Sequence, residues 1–168
     1  MINLLVEFSS KIEYTCRLAS QKDAEGINEL MKKAFADYGK TKNKNQKVVN
    51  SALKESLEDI SEDIEKNIVL IMLDNDKIIA SLRLEEVVEH RYLLKRFAVA
   101  PDYQNHGLGS KLFKKALEKL NEKNAQFVQL YSSLENKKLI NFYQGLGFNC
   151  VATDHKKGYE RGLWVKKL

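Results

Sequence analysis

Apolar and polar side chains alternate through Ile12, Tyr14, Cys16 and Leu18, which predicts a strand over 12–18 with one buried face. Helical spacing then takes over. Ile27, Leu30, Met31, Ala34 and Phe35 share one side of a helix. Ser20-Gln21-Lys22-Asp23 gives that helix a start in which hydroxyl and carboxylate cap each other's amides. A polar loop follows over 39–47, and Val49, Ala52, Leu53, Ser56, Leu57 and Ile60 predict a second helix over 48–64. The apolar run at 68–73 reads as a buried strand, Asp74-Asn75-Asp76 as a turn, and 78–88 as the returning strand. A short turn near Glu89-His90 leads to a strand over 92–99, which completes an antiparallel meander.

Leu108, Leu112, Phe113, Ala116, Leu117 and Leu120 mark a helix with a Lys-rich outer face, and a strand follows at 127–132. A short helix over 136–144 is stopped by Gly145-Leu146-Gly147, and 148–154 with 159–165 form a last hairpin. The order β-α-α-β-β-β-α-β-α-β-β predicts an α/β (α+β) fold. Its sheet is mixed, mostly antiparallel, of about seven strands, with helices on both faces. The strand-helix-strand unit over 92–132 is expected to be a right-handed crossover.

Composition narrows the class. The chain has 168 residues, 43% of them apolar and 30% charged, which fits one globular domain over 1–168, with a short extra segment at 1–11. A net charge of +5 suits an anionic ligand but is too diffuse to argue for nucleic acid. Cys16 and Cys150 lie too far apart to form a disulfide framework or a zinc cluster, so no metal is expected and both read as reduced core thiols. The apolar run at 68–73 is too short to cross a bilayer, and the first ten residues lack a basic leader region. A cytoplasmic protein without a membrane partner is the expectation. The acidic residues of the second helix read either as a solvated face or as a patch that attracts a cationic substrate.

The most informative stretch is Phe97-Ala98-Val99-Ala100-Pro101-Asp102-Tyr103-Gln104-Asn105-His106-Gly107-Leu108-Gly109, between a strand and a helix N-terminus. Glycine at 107 tolerates positive φ, and both glycines let a ligand approach the backbone. The first amides of the helix lack partners within it and carry the positive end of its dipole, which is a phosphate-binding arrangement. A P-loop is excluded because no Gly-Lys-Ser/Thr follows, and a dinucleotide fingerprint because the third glycine is missing.

Val99-x-Pro101-x-x-Gln104-x-x-Gly107-x-Gly109 resembles the acyl-CoA-binding signature of the GNAT superfamily of N-acetyltransferases. Asn136-x-x-x-x-x-Phe142-Tyr143-x-x-Leu146-Gly147-Phe148 is similar to the second motif of that superfamily, and the resemblance extends over 12–168. It implies that the amides of Asn105, His106, Gly107, Leu108, Gly109 and Ser110, with the Gln104 side chain, hold the coenzyme A pyrophosphate. Lys111 would meet a nucleotide phosphate. The two central strands would splay, with pantetheine between them against the main chain of Phe97, Ala98 and Val99. Asn136 and Phe142 would line the pantetheine arm, and Tyr143, near the sulfur, would be the general acid.

The chain departs from the family at several positions. Asn105 stands where glycine is common, and asparagine is the next most tolerant of left-handed backbone. His106 reads as a solvent-facing loop residue or a phosphate neighbour. Leu139 replaces a small residue. Leu93 occupies a strand position where many members carry a glutamate, so Glu85, Glu86 or a chain of waters is left as base, and at most one of the two glutamates can face the cleft. Tyr131 reads as cleft lining or core, and Trp164 as packing.

The expected function is transfer of an acetyl group from acetyl-CoA to a primary amine, on a small molecule or a peptide, by direct attack in a ternary complex. The alternative is an acyl-CoA-binding regulatory module that has lost catalysis. The acceptor side is expected over 35–66 and 153–160, and the oligomeric state is left as monomer or homodimer.

Overall fold

The computed structural model describes residues 13–36 and 51–168. Seven strands form one sheet in the order β1-β2-β3-β4-β5-β7-β6. They are β1 (Thr15–Leu18), β2 (Ile68–Asp74), β3 (Lys77–Val88), β4 (Arg91–Val99), β5 (Phe127–Ser133), β6 (Asn149–Asp154) and β7 (Arg161–Lys167). The helices are α1 (Ala24–Phe35), α2 (Leu57–Lys66), α3 (Leu108–Glu122) and α4 (Lys137–Gly145). All neighbours are antiparallel except β4 and β5, the pair joined through α3.

The apolar run of β2 is continuous because both faces of the strand are covered. Val69, Ile71 and Leu73 join Ile27, Leu30, Met31 and Ile60 in a core beneath α1 and α2. Leu70 and Met72 join Leu112, Phe113, Ala116 and Leu120 beneath α3, in a core that reaches Tyr143, Phe148 and Trp164. The helices therefore lie on both faces, as the element order predicts.

Several local expectations need correcting. The first strand is shorter than 12–18 and lacks a buried face. It is an edge strand whose Tyr14 and Cys16 are half-buried and whose Leu18 is 49% exposed. Ser20 and Asp23 do form the reciprocal cap, but it opens a 3-10 turn at Gln21–Asp23 before α1. The second helix is not continuous. A 3-10 turn at Ser51–Lys54 gives way to a break, and α2 starts only after Ser56. The cause is a second reciprocal cap, in which the Asp59 amide donates to the Ser56 hydroxyl at 3.1 Å and Asp59 accepts from the Ser56 amide at 2.9 Å. Leu57 is consequently exposed rather than buried. The expected stretch over 48–50 lies outside the described residues.

Cys150 is exposed, not a core thiol, while Cys16 is half-buried and burial pushes its thiol up. Tyr131 is not core either. It is 44% exposed, with the Arg161 guanidinium 4.3 Å above its ring.

Candidate active site

The site begins where β4 loses both neighbours. On one side, β4 pairs with β5 only through Arg91, Tyr92 and Leu93 against Phe127, Val128 and Gln129, and the strands then part. On the other, the register with β3 steps from Lys95–Arg83 to Ala98–Ser81, so Arg96 and Phe97 are skipped. Arg96 takes a φ of 53° at this bulge. A bulge re-aims the backbone, and this one lies beside the gap between the strands.

Past Val99 the chain makes a 3-10 turn at Pro101–Tyr103, and proline fits its first position because its missing N–H is not needed there. The Tyr103 hydroxyl donates to Asp74 at 2.8 Å, tying the turn to the β2–β3 connection. Asn105 and Gly107 follow with φ of 63° and 74°, as the sequence suggests for both. A Cβ at Gly107 would meet nothing within 4 Å, so the backbone there faces open space. Lys111 donates to the Gly107 carbonyl, which leaves the amides ahead of it without acceptors inside α3. Gln104, His106, Ser110 and Lys111 are exposed around this end, and Leu108 is buried beneath it. The Gln104 side chain turns away from the open amides, and its Nε2 donates to the Val99 carbonyl at 3.0 Å.

The second motif closes against the first. The Asn136 side chain caps α4, accepting from the amides of Lys138 at 3.1 Å and Leu139 at 3.3 Å. This capping role was not anticipated. Phe142 packs on Phe97 with ring centroids 5.6 Å apart, and also against Gly109. Tyr143 is buried, with Phe142 at 5.4 Å on one side and Phe148 at 5.9 Å on the other.

The opposite face of β3 and β4 carries a groove of about 510 Å³ beside α2, lined among others by Glu55, Asp63, Glu85, Lys95 and Arg96. Its floor is a charge network. Arg83 is fully buried and grips both oxygens of Glu55, at 2.6 and 2.8 Å, and Asp63 at 2.5 Å. Lys95 bridges Asp63 at 3.1 Å and Glu85 at 2.8 Å, and Arg96 reaches Glu55 at 3.2 Å. Burial raises the Asp63 carboxyl, but hydrogen bonds from Arg83 and Lys95 outweigh it, and the net direction is down. Glu55 and Asp63 are therefore neither a simple solvated face nor a free anionic patch, because cations from the sheet already meet them. Sequence reading missed this network. Its one visible signal is a lone arginine at 83 among apolar strand residues, which calls for buried counter-charges.

The two candidate bases separate as strand geometry requires. Glu85 pairs across the strands with Leu93 and lines the groove. Glu86 is exposed at the far turn and accepts from the His90 amide at 2.9 Å. Among the described residues no group of three His, Cys, Asp or Glu side chains could hold a metal, and no helix is long and apolar enough to cross a membrane.

Residues 27–148 match the acetyltransferase (GNAT) family, a span that holds both motifs and the strands that part between them. The chain belongs to that family. Among relatives of this GNAT chain, an uncharacterized N-acetyltransferase of Methanocaldococcus jannaschii is 29% identical over 141 residues, covering 80% of this chain and 60% of the relative. N-alpha-acetyltransferase 30 of Schizosaccharomyces pombe is 27% identical over 82 residues, 46% of this chain and 55% of that protein. The chain thus spans less than two thirds of the length of these relatives. Among solved structures, the PaiA N-acetyltransferase of Thermoplasma acidophilum in complex with coenzyme A superposes with a TM-score of 0.80 at 20% identity, covering 93% of this chain and 99% of that one. The Escherichia coli ribosomal-protein-S18-alanine N-acetyltransferase gives 0.71 at 20% identity, covering 92% and 94%. Both likenesses establish the GNAT fold.

Proposed function

We propose that this protein is an N-acetyltransferase that moves an acetyl group from acetyl-CoA to a primary amine, on a small molecule or a peptide, within a ternary complex. The observation that carries the reading is the junction of Gly109, Phe97 and Phe142, which brings the phosphate-type helix end, the bulged strand and the second motif to one gap between β4 and β5. The names of the S. pombe relative and of the Thermoplasma and E. coli structures support an amine acceptor.

The residues suit the cosubstrate. Open backbone at Gly107 and the unpaired amides at the start of α3 match a pyrophosphate, with Asn105 holding the turn and Lys111 adding charge. Gln104 must leave the Val99 carbonyl to join them. That release frees a main-chain acceptor for an amide of the pantetheine arm. Acetyl-CoA supplies an activated thioester. The main chain of Phe97, Ala98 and Val99 lines the gap, where a fixed amide aimed at developing negative charge contributes a few kcal/mol. Holding both reactants in one cleft supplies much of the remaining acceleration. Tyr143 donates the proton that the departing thiolate takes up. Glu85, beside Leu93 on the groove side, takes a proton from the substrate ammonium, and the free amine then attacks the thioester carbonyl. The amine enters from the groove and the cosubstrate from the gap, on opposite sides of β4.

Calorimetric titration with acetyl-CoA tests the first half, run beside Gly107→Trp. Micromolar binding by the parent, about −8 kcal/mol, and its loss in the variant are expected. No binding at millimolar acetyl-CoA sinks the acetyl donor. Turnover with a panel of primary amines tests the second half. Tight binding without turnover of any amine favours the regulatory module instead.

A further inference from the structure

Arg96 stands out among the residues of positive φ. The other four non-glycine cases among the described residues are Asn75, His90, Asn105 and Asn124, side chains that tolerate left-handed backbone. Arginine gains nothing there, and its Cβ crowds the following carbonyl oxygen. Such strain persists where the surroundings over-determine the backbone, and it gathers at functional sites.

The surroundings can be named. The Arg96 Nε donates to Glu55 at 3.2 Å and its Nη1 to the Ser51 hydroxyl at 3.1 Å. Glu55 is itself fixed three ways. Arg83 of β3 holds both its carboxylate oxygens, Asn28 of α1 donates to its carbonyl at 3.3 Å, and Ser56 beyond it starts α2. The Arg96 side chain therefore hangs from a rigid point on the groove side, while its main chain forms the bulge on the edge of the gap. One residue spans the two sides of β4.

We propose that Arg96 is a positioning residue. Through Glu55 and Ser51 it ties the bulged main chain of β4, which faces the thioester, to the segment that borders the acceptor groove. The inference rests on the acetyl-transfer reading and adds a link between its two halves. The phosphate-binding end of α3 takes no part in this tether, so anchoring of the coenzyme is independent of it.

The deciding variant is Arg96→Gly. Glycine accepts a φ of 53° without strain, so the bulge is kept while the tether is cut. Acetyl-CoA affinity is expected to stay within about twofold of the parent, and kcat/KM for the amine to fall at least tenfold, a loss of about 1.4 kcal/mol in transition-state stabilisation. Arg96→Lys, which can still reach Glu55, is expected to recover part of that loss. Glu55→Gln, which removes the charge that Arg96 meets, is expected to add little to the loss in Arg96→Gly, because both act on the same link. A second readout does not need turnover. The amide resonance of Phe97 should differ between the coenzyme A and acetyl-CoA complexes of the parent, and this difference should shrink in Arg96→Gly. An Arg96→Gly protein with parental kcat, acceptor KM and Phe97 resonances overturns the proposal alone. Equal losses of acetyl-CoA affinity and activity make Arg96 merely structural and overturn it as well. A parent that binds no acetyl-CoA overturns both this proposal and the reading beneath it.

Discussion

A Cβ on Gly109 would sit 3.1 Å from the ring tip of Phe142, so a methyl group in the first turn of α3 fits only if the aromatic ring of α4 gives by a few tenths of an ångström. Alanine normally gains up to ~1 kcal/mol over glycine inside a helix. Here overpacking of roughly 1–3 kcal/mol opposes it and wins. Gly109→Ala should therefore destabilise the fold by about 1 kcal/mol and weaken acetyl-CoA binding, and adding Phe142→Leu should recover much of the stability. Gly145, at the end of α4 with nothing within 4 Å, is the contrast. There alanine should be neutral or stabilise by about 0.5 kcal/mol. Urea unfolding of the four proteins compares the two glycines directly, and a fully stable Gly109→Ala would refute the tight contact.

Arg83→Met should be the most damaging single change on the groove side. It removes the cation and leaves the Glu55 and Asp63 carboxylates facing each other, with Lys95 still on Asp63 and Arg96 on Glu55. Breaking a buried pair by deleting one partner costs roughly 3–5 kcal/mol. A loss below 1 kcal/mol in urea unfolding would mean that water reaches the carboxylates and the site is not dry.

Asp23 sets part of the acid limit of stability. The Arg17 hydrogen bonds hold its carboxyl at about 2 against an ordinary 3.8, with burial opposing and Ser20 assisting. The unfolded chain binds the proton first as pH falls. The stabilisation is therefore complete above about pH 4 and is lost as pH drops towards about 2. Asp23→Asn should flatten the stability profile in that window and cost about 1 kcal/mol at neutral pH through the lost charge opposite Arg17. Urea unfolding from pH 2 to 7 gives both numbers. An unchanged acid limb would remove Asp23 from the account.

Tyr143→Phe tests the proton donor. The ring stays in its place among Phe142 and Phe148, so acetyl-CoA affinity should be kept. If the hydroxyl protonates the leaving thiolate, kcat should fall by about 10² or more. A kcat within twofold of the parent would hand that proton to solvent.

Sequence alone reaches far into this fold because its strong signals are local. The apolar run over 68–73, the Asx turn at Asn75 and the helical spacing from Leu108 to Leu120 each follow from nearby residues, and each element is present. Asn105 and Gly107 announce the left-handed turn for the same reason. What stays hidden depends on partners distant along the chain. Arg83 and Glu55 are 28 residues apart, and nothing in either neighbourhood names the other. The bulge at Arg96 has no local signature, since arginine is a poor choice for positive φ and only the tertiary tether accounts for it. The break before α2 was legible in Ser56-x-x-Asp59, the same capping pattern as Ser20-x-x-Asp23, but the apolar spacing on either side outweighed it.

The parting of β4 and β5 has a mechanical meaning. Strands β1 to β4 form one antiparallel block and β5, β7 and β6 another, and three residue pairs sew them together. Whatever fills the gap acts as mortar between two half-sheets. A ligand lodged there restrains their relative motion as well as touching each, so rigidity gained on binding should spread across the whole sheet. The edge strands β1 and β6, which a ligand in the gap need not touch, should then exchange their amide hydrogens more slowly when the gap is filled.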